Sequence, residues 1–207
     1  MLIDGILAGL FLCVGCMVNL LTESRHAGAF LFSLGLFAII TFRLALYTGK
    51  AGYMAVKPVS YVGEVALTLV GNAVGTALGA LLLHLTRFGA ELAQKAATVM
   101  AAKTEDSPVS IFLLAVFCGV LMFTAVHGEK RNREKGNFVG ALFIVVLPVM
   151  VFILCGFNHC VADMAYFFLG GCANFKAAGL YFVLAILGNA AGCMLIPLAK
   201  KMSEHKI

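Results

Sequence analysis

Gly71-Asn72-Ala73-Val74-Gly75 returns as Gly188-Asn189-Ala190-Ala191-Gly192, each time inside the third apolar run of its half of the chain. Glycines at this spacing let helix backbones approach closely inside a membrane. That packing role suits Gly75, Gly79 and Gly192. An amide in such a run is a different matter, because a buried amide needs hydrogen-bond partners. Asn72 and Asn189 therefore have two compatible roles open to them, bonding to broken backbone or lining a pore.

Outward from the two pentapeptides, the apolar runs cover 3–21, 27–47, 59–85, 109–126, 138–157 and 178–199. A spanning helix needs roughly 20 mostly apolar residues, so the chain has room for six. Of its 207 residues 62% are hydrophobic and only 12% charged, with 22 glycines and no tryptophan. This composition excludes an ordinary soluble domain and leaves a single all-α transmembrane domain over 1–207. No cleavable leader is expected, since the first run lacks a basic leader.

Three spans in each half, about 1–85 and 108–200, give the halves opposite topology. Inverted repeats are a recurrent transporter architecture, with the substrate path at the repeat interface and discontinuous helices aimed at it. The second span of each half is then expected to be broken. The breaks are expected at Leu46-Tyr47-Thr48-Gly49-Lys50 and at Gly156-Phe157-Asn158-His159. Irregular backbone at that depth survives only where it is buried in protein or lines a cavity.

Basic residues collect on cytoplasmic loops. Lys50, Lys57, Lys130, Arg131, Arg133, Lys135, Lys200, Lys201 and Lys206 would share one face with both termini, which are therefore predicted cytoplasmic in a multi-pass cell-membrane protein. Arg25, Arg87, Lys95, Lys103 and Lys176 fall opposite, and only Arg43 lies inside a run. The positive-inside bias accounts for the net charge of +5 without a nucleic-acid partner. The segment 86–107, alanine-rich with mixed charges, reads as an external funnel helix.

His159 ends an apolar stretch that begins near Phe138. An ionisable residue at bilayer depth is costly and by default marks a substrate or proton path. Burial disfavours the charged imidazole, so His159 is expected to be mostly neutral at pH 7. His26, His84, His127 and His205 fall in loops, in the tail or near span ends, where a structural role suffices.

Most of the seven cysteines sit in or beside apolar runs, where cysteine acts as a small buried hydrophobe. Cys155, His159, Cys160 and Met164, with Met17, Met122 and Met150, leave a soft-metal site as the alternative. No serine–histidine–carboxylate set, P-loop or dinucleotide glycine pattern occurs, so neither an enzyme nor a cofactor is expected. Glu64 is a carboxylate inside a span, and Asp163 follows the fifth span close to His159.

The ordered set Ala29-Phe30-Leu31-Phe32-Ser33-Leu34-Gly35-Leu36, Leu46-Tyr47-Thr48-Gly49, Gly156-Phe157-Asn158-His159-Cys160-Val161-Ala162-Asp163-Met164 and Leu187-Gly188-Asn189 resembles the formate/nitrite transporter family across all six spans. The resemblance implies an aquaporin-like fold, a homopentamer with one path per protomer, and passage of small monovalent anions such as formate, nitrite, lactate or hydrosulfide. It implies His159 and Thr48 as the polar groups at mid-pore. It also implies constrictions among Phe32, Leu36, Leu46, Tyr47, Phe152 and Phe157, and a funnel cation at Lys103, for which a solvated loop position is the plainer alternative. The pathway expected from residues and resemblance together is His159, Thr48, Lys103, Asn72 and Asn189.

Where the family has Thr-Gly-Asn and Ala-Asn-Met, this chain has Thr48-Gly49-Lys50 and Ala162-Asp163-Met164. An isolated buried charge is prohibitive, so Lys50 and Asp163 are expected to pair across the pseudo-two-fold. The family's Asn-Trp in the fourth span is Gly119-Val120, its later tryptophan there is His127, and its Pro-Val-Thr in the sixth is Leu184-Ala185-Ile186. A polar contact is thus expected to be missing from the pore or its shell. The mechanism expected is an anion drawn into a positive funnel, stripped of water at an apolar constriction, and carried across with or without a proton from His159. An aquaporin-like neutral-solute channel and a soft-metal permease are the alternatives.

Overall fold

Each apolar run becomes helix in the computed structural model, which describes residues 1–172 and 174–204; His205 and Lys206, read above as tail residues, lie outside them. In chain order the helices are α1 (Leu2–Leu21), α2 (Arg25–Thr41), α3 (Tyr47–Ala51) with a 3-10 turn at Gly52–Ala55, α4 (Tyr61–His84), α5 (Gly89–Thr104), α6 (Pro108–Glu134), α7 (Phe138–Leu154), α8 (Cys160–Gly170) and α9 (Phe175–Glu204). No strand occurs among the described residues. Four helices, α1, α4, α6 and α9, are long and apolar enough to cross a membrane.

Local chemistry sets several helix starts. Ser24 accepts from the backbone N–H of Ala27, Asn137 from that of Gly140, and Ser107 from that of Ser110 with Pro108 at the first helical position. These side chains satisfy N–H groups that the first turn leaves unpaired. The predicted funnel helix is α5, which packs against α8.

The glycines of the two pentapeptides are contact points between helices. A Cβ on Gly75 would collide with the Ile6 carbonyl oxygen of α1, and one on Gly192 with the Val116 carbonyl oxygen of α6. The pairs α1–α4 and α6–α9 therefore meet backbone to backbone in the same way. Gly119 belongs to this set, since a Cβ there would collide with the carbonyl oxygen of Asn189. Gly119 is thus a point of close approach of α6 to α9.

The remaining two apolar runs stop short. Both α2 and α7 have 17 residues, and each is followed by non-helical backbone and then by a short helix. The second break, 155–159, falls where the sequence predicts it. The first does not: it occupies 42–46, and the predicted segment Tyr47-Thr48-Gly49-Lys50 is itself helical in α3. The two breaks turn alike. Arg43 (φ 54°) and Gly156 (φ 68°) both adopt the left-handed conformation. Leu44 N–H donates to Ile39 O at 2.8 Å and Phe157 N–H to Phe152 O at 2.9 Å, closing equivalent helix C-terminal motifs.

Candidate functional site

Asn72 of α4 reaches the first break and Asn189 of α9 the second. Asn72 Oδ1 accepts from Tyr47 N–H at 2.8 Å, while its Nδ2 donates to Ala45 O at 2.8 Å and to Gly5 O at 2.9 Å. Asn189 Oδ1 accepts from Cys160 N–H at 2.9 Å, while its Nδ2 donates to Asn158 O at 2.7 Å and to Ala115 O at 2.8 Å. Each amide thus clamps the last residues of a break, the first turn of the helix that follows, and a neighbouring long helix. Both are fully buried with both N–H donors used. Of the two compatible roles expected of them, bonding to the broken backbone is the one these contacts make.

The clamps hold two side chains face to face. His159 caps α8, its Nδ1 accepting from Ala162 N–H at 3.1 Å. Its Nε2 lies 3.1 Å from Thr48 Oγ1 on α3. With Nδ1 committed as an acceptor, the neutral ring carries its proton on Nε2 and donates to the threonine. The Thr48 hydroxyl proton is then left to donate elsewhere. Both residues are buried, at 2% and 0% exposure.

Aromatic rings continue from His159. Phe152 stacks on the imidazole with centroids 5.5 Å apart, and Phe32 meets Phe152 edge-on at 5.5 Å. Phe157 stacks on Phe117. Leu46 precedes the Tyr47-Thr48 turn on the other side of the pair, and Leu36 is buried in the core. The Tyr47 hydroxyl donates to Ile186 O of α9 at 3.0 Å. Two partners of this region were not singled out from sequence: Cys193, whose thiol reaches Thr48 O and Gly119 O, and Tyr181.

Two cavities flank the pair at opposite ends of α2 and α6. The first, about 650 Å³, is lined by Leu46 and Gly49 at its base and by Arg43, Lys50, Lys130, Arg133, Glu129 and Glu134. Four cations against two carboxylates leave an excess of two positive charges. The second, about 580 Å³, is lined by Phe152, Phe157 and Asn158 together with Arg25, Lys103, Glu23, Asp106 and Asp163. Two cations against three carboxylates leave one negative charge in excess.

The ionic pairs differ from the sequence expectation. Asp163, 2% exposed, lies 3.2 Å from Lys103 Nζ and accepts from Tyr181 Oη at 2.5 Å. Lys103 also donates to Phe157 O and Asn158 Oδ1. Lys50 instead lies 3.7 Å from Glu64. The expected Lys50–Asp163 pair is therefore corrected, because α5 brings Lys103 onto the first turns of α8 and α4 brings Glu64 beside α3. Lys103 lines the second cavity and is paired there with Asp163.

The soft-metal alternative gains no support. Cys155 is exposed, Cys160 is buried, and among the described residues no three His, Cys, Asp or Glu side chains gather as a metal site.

A family model described as "Formate/nitrite transporter" matches residues 1–200. No curated protein matches the chain. Among solved structures, a "Pentameric formate channel with formate bound" superposes with a TM-score of 0.82 at 19% identity, covering 100% of this chain and 96% of that one. An "FNT family ion channel" superposes at 0.81 and 20% identity, covering 98% and 87%.

Proposed function

Because the chain belongs to the formate/nitrite transporter family, we propose that it passes small monovalent anions across a membrane, from one flanking cavity to the other through the Thr48–His159 pair. The observation that carries this reading is the pair itself: two neutral hydrogen-bonding groups, buried where two broken helices meet, with a cavity on either side. An anion arriving there loses water, which is expensive. The hydroxyl of Thr48, its oxygen held by the Nε2–H of His159, supplies a donor in its place.

The breaks support a six-span architecture. In this reading α2 with α3 and α7 with α8 each complete one crossing, so that two inverted three-helix repeats share the path. The repeated contacts argue for it: Ala45, Tyr47 and Asn72 correspond to Asn158, Cys160 and Asn189 in identical bonding roles. Basic residues cluster around the first cavity and the ends of α6 and α9, which supports that side as cytoplasmic together with both termini. The likeness to a pentameric formate channel supports five protomers, each with its own path.

Proton coupling is constrained by the cap on Nδ1. Protonating that nitrogen would turn Ala162 N–H toward a second donor, so relay through the ring requires the first turn of α8 to open. The imidazole is accordingly read as a hydrogen-bond donor, and a co-transported proton as travelling on the anion itself.

The test is uptake into proteoliposomes of formate, nitrite, lactate, acetate and hydrosulfide, with and without a pH gradient, for wild type and His159→Asn. Uptake of one or more of these anions, reduced and with an altered pH profile in the variant, is expected. No uptake by folded protein, or an unchanged variant, would overturn the reading.

A further inference from the structure

The two breaks place a left-handed residue at the same point, three positions before the residue that caps the short helix: Arg43 before Leu46, and Gly156 before His159. The hydrogen bonds around it repeat as well, Arg43 N–H to Ile40 O and Gly156 N–H to Ile153 O. Glycine is the default in this conformation because a Cβ is disfavoured there. The second half uses it. The first half puts an arginine there, and a non-glycine outlier of this kind points to a role for its side chain.

That side chain lines the first cavity. Every other charged group on the cavity wall has a partner: Lys50 with Glu64, Arg133 with the buried Glu129 at 2.6 Å, and Lys130 with Glu134. Arg43 alone among these has no ion pair or side-chain hydrogen bond among the described residues. Its guanidinium is thus the unmatched part of the cavity's positive charge, three residues from Leu46 and five from Thr48. A guanidinium is a planar fork that binds a carboxylate-like group through two parallel N–H donors, whereas an ammonium acts as a point charge.

We propose that Arg43 is the anion-docking residue of the first cavity, and that it favours planar two-oxygen anions, carboxylates and nitrite, over single-atom or hydrosulfide anions. The inference rests on the transport reading for its place on a path, but not for the binding itself. The anion docks on the guanidinium in the cavity and then crosses Leu46 to the Thr48–His159 pair. Neighbouring cations add attraction that salt weakens.

Two variants separate fork from charge. Arg43→Gly installs the residue that the second half uses at this position and is expected to melt at or above the wild-type temperature. Arg43→Lys keeps the charge without the fork. In detergent, stabilisation by ligand follows binding, so melting is followed against sodium formate with sodium chloride holding ionic strength constant. The half-saturating formate concentration is expected to rise about tenfold or more in Arg43→Gly, the size of one lost charge-assisted hydrogen bond.

In proteoliposomes the same variant is expected to need about tenfold more formate for half-maximal uptake. Arg43→Lys is expected to lose preference for formate and nitrite over hydrosulfide. Formate curves that superpose for wild type and Arg43→Gly overturn the proposal even where transport is intact. If wild type transports nothing, the transport reading falls, and the melting titration still decides docking: a shifted curve upholds it and an unshifted one overturns it.

Discussion

At the first break Asn72 clamps Ala45 and Tyr47; at the second Asn189 clamps Asn158 and Cys160 through the same two atoms, Oδ1 and Nδ2. The side chains hung on these matched frames differ. Leu46 caps α3 where His159 caps α8, Arg43 turns the chain where Gly156 does, and Lys50 stands on α3 where Asp163 stands on α8. Shared features build the fold, so damage to them should be equal in the two halves. In the proposed reading unshared features build the path and its charge, so damage there should be one-sided.

The largest expected effect tests the shared frame. Asn72→Ala and Asn189→Ala each strip partners from buried backbone groups, at on the order of 1–3 kcal/mol for each group left unpaired. Three bonds are lost in either variant, enough to threaten a marginally stable protein. Both should fail to yield a monodisperse oligomer on size exclusion. A mild phenotype in one half only would break the equivalence.

Next comes an effect confined to the second half. Lys103→Met leaves Asp163 buried without its cation, a loss of about 3–5 kcal/mol. Adding Asp163→Asn should recover part of the lost melting temperature, since it removes the orphaned charge. A double variant as unstable as the sum of the singles would deny the pair.

Smaller, and again matched, is the cost of Gly75→Ala and Gly192→Ala. A methyl at either position meets a carbonyl oxygen of the facing helix, and overpacking of this kind costs about 1–3 kcal/mol. Gly179→Ala, with nothing near its Cβ, is the control and should melt no lower than wild type. Smallest is Lys50→Ala, the first-half counterpart of Asp163. Its pair with the half-exposed Glu64 is worth at most about 1 kcal/mol, and a thermal melt should barely move.

The frame was legible in the sequence because it is written in residue types that have few alternatives. Gly-Asn-x-x-Gly inside an apolar run needs a close neighbour and amide partners, and both were found. The second break announced itself through Gly156. The first was displaced because no glycine or proline lies between Gly35 and Gly49, and Arg43 makes the turn that glycine usually makes. Asp163's partner was out of reach for another reason: Lys103 is close only once α5 folds back onto α8, a contact that no local spacing encodes. The same holds for the cavities, whose opposite charge depends on which residues line them.

The central claim is that anions pass at the Thr48–His159 contact. The direct test is the initial rate of formate uptake into proteoliposomes by Thr48→Val, which keeps side-chain shape and removes the hydroxyl, beside wild type and Gly179→Ala. With the oligomer and melting temperature unchanged, uptake about tenfold or more below wild type is predicted, as for loss of a hydrogen bond to a charged group. Wild-type uptake by folded Thr48→Val would contradict the account and move the path away from the pair.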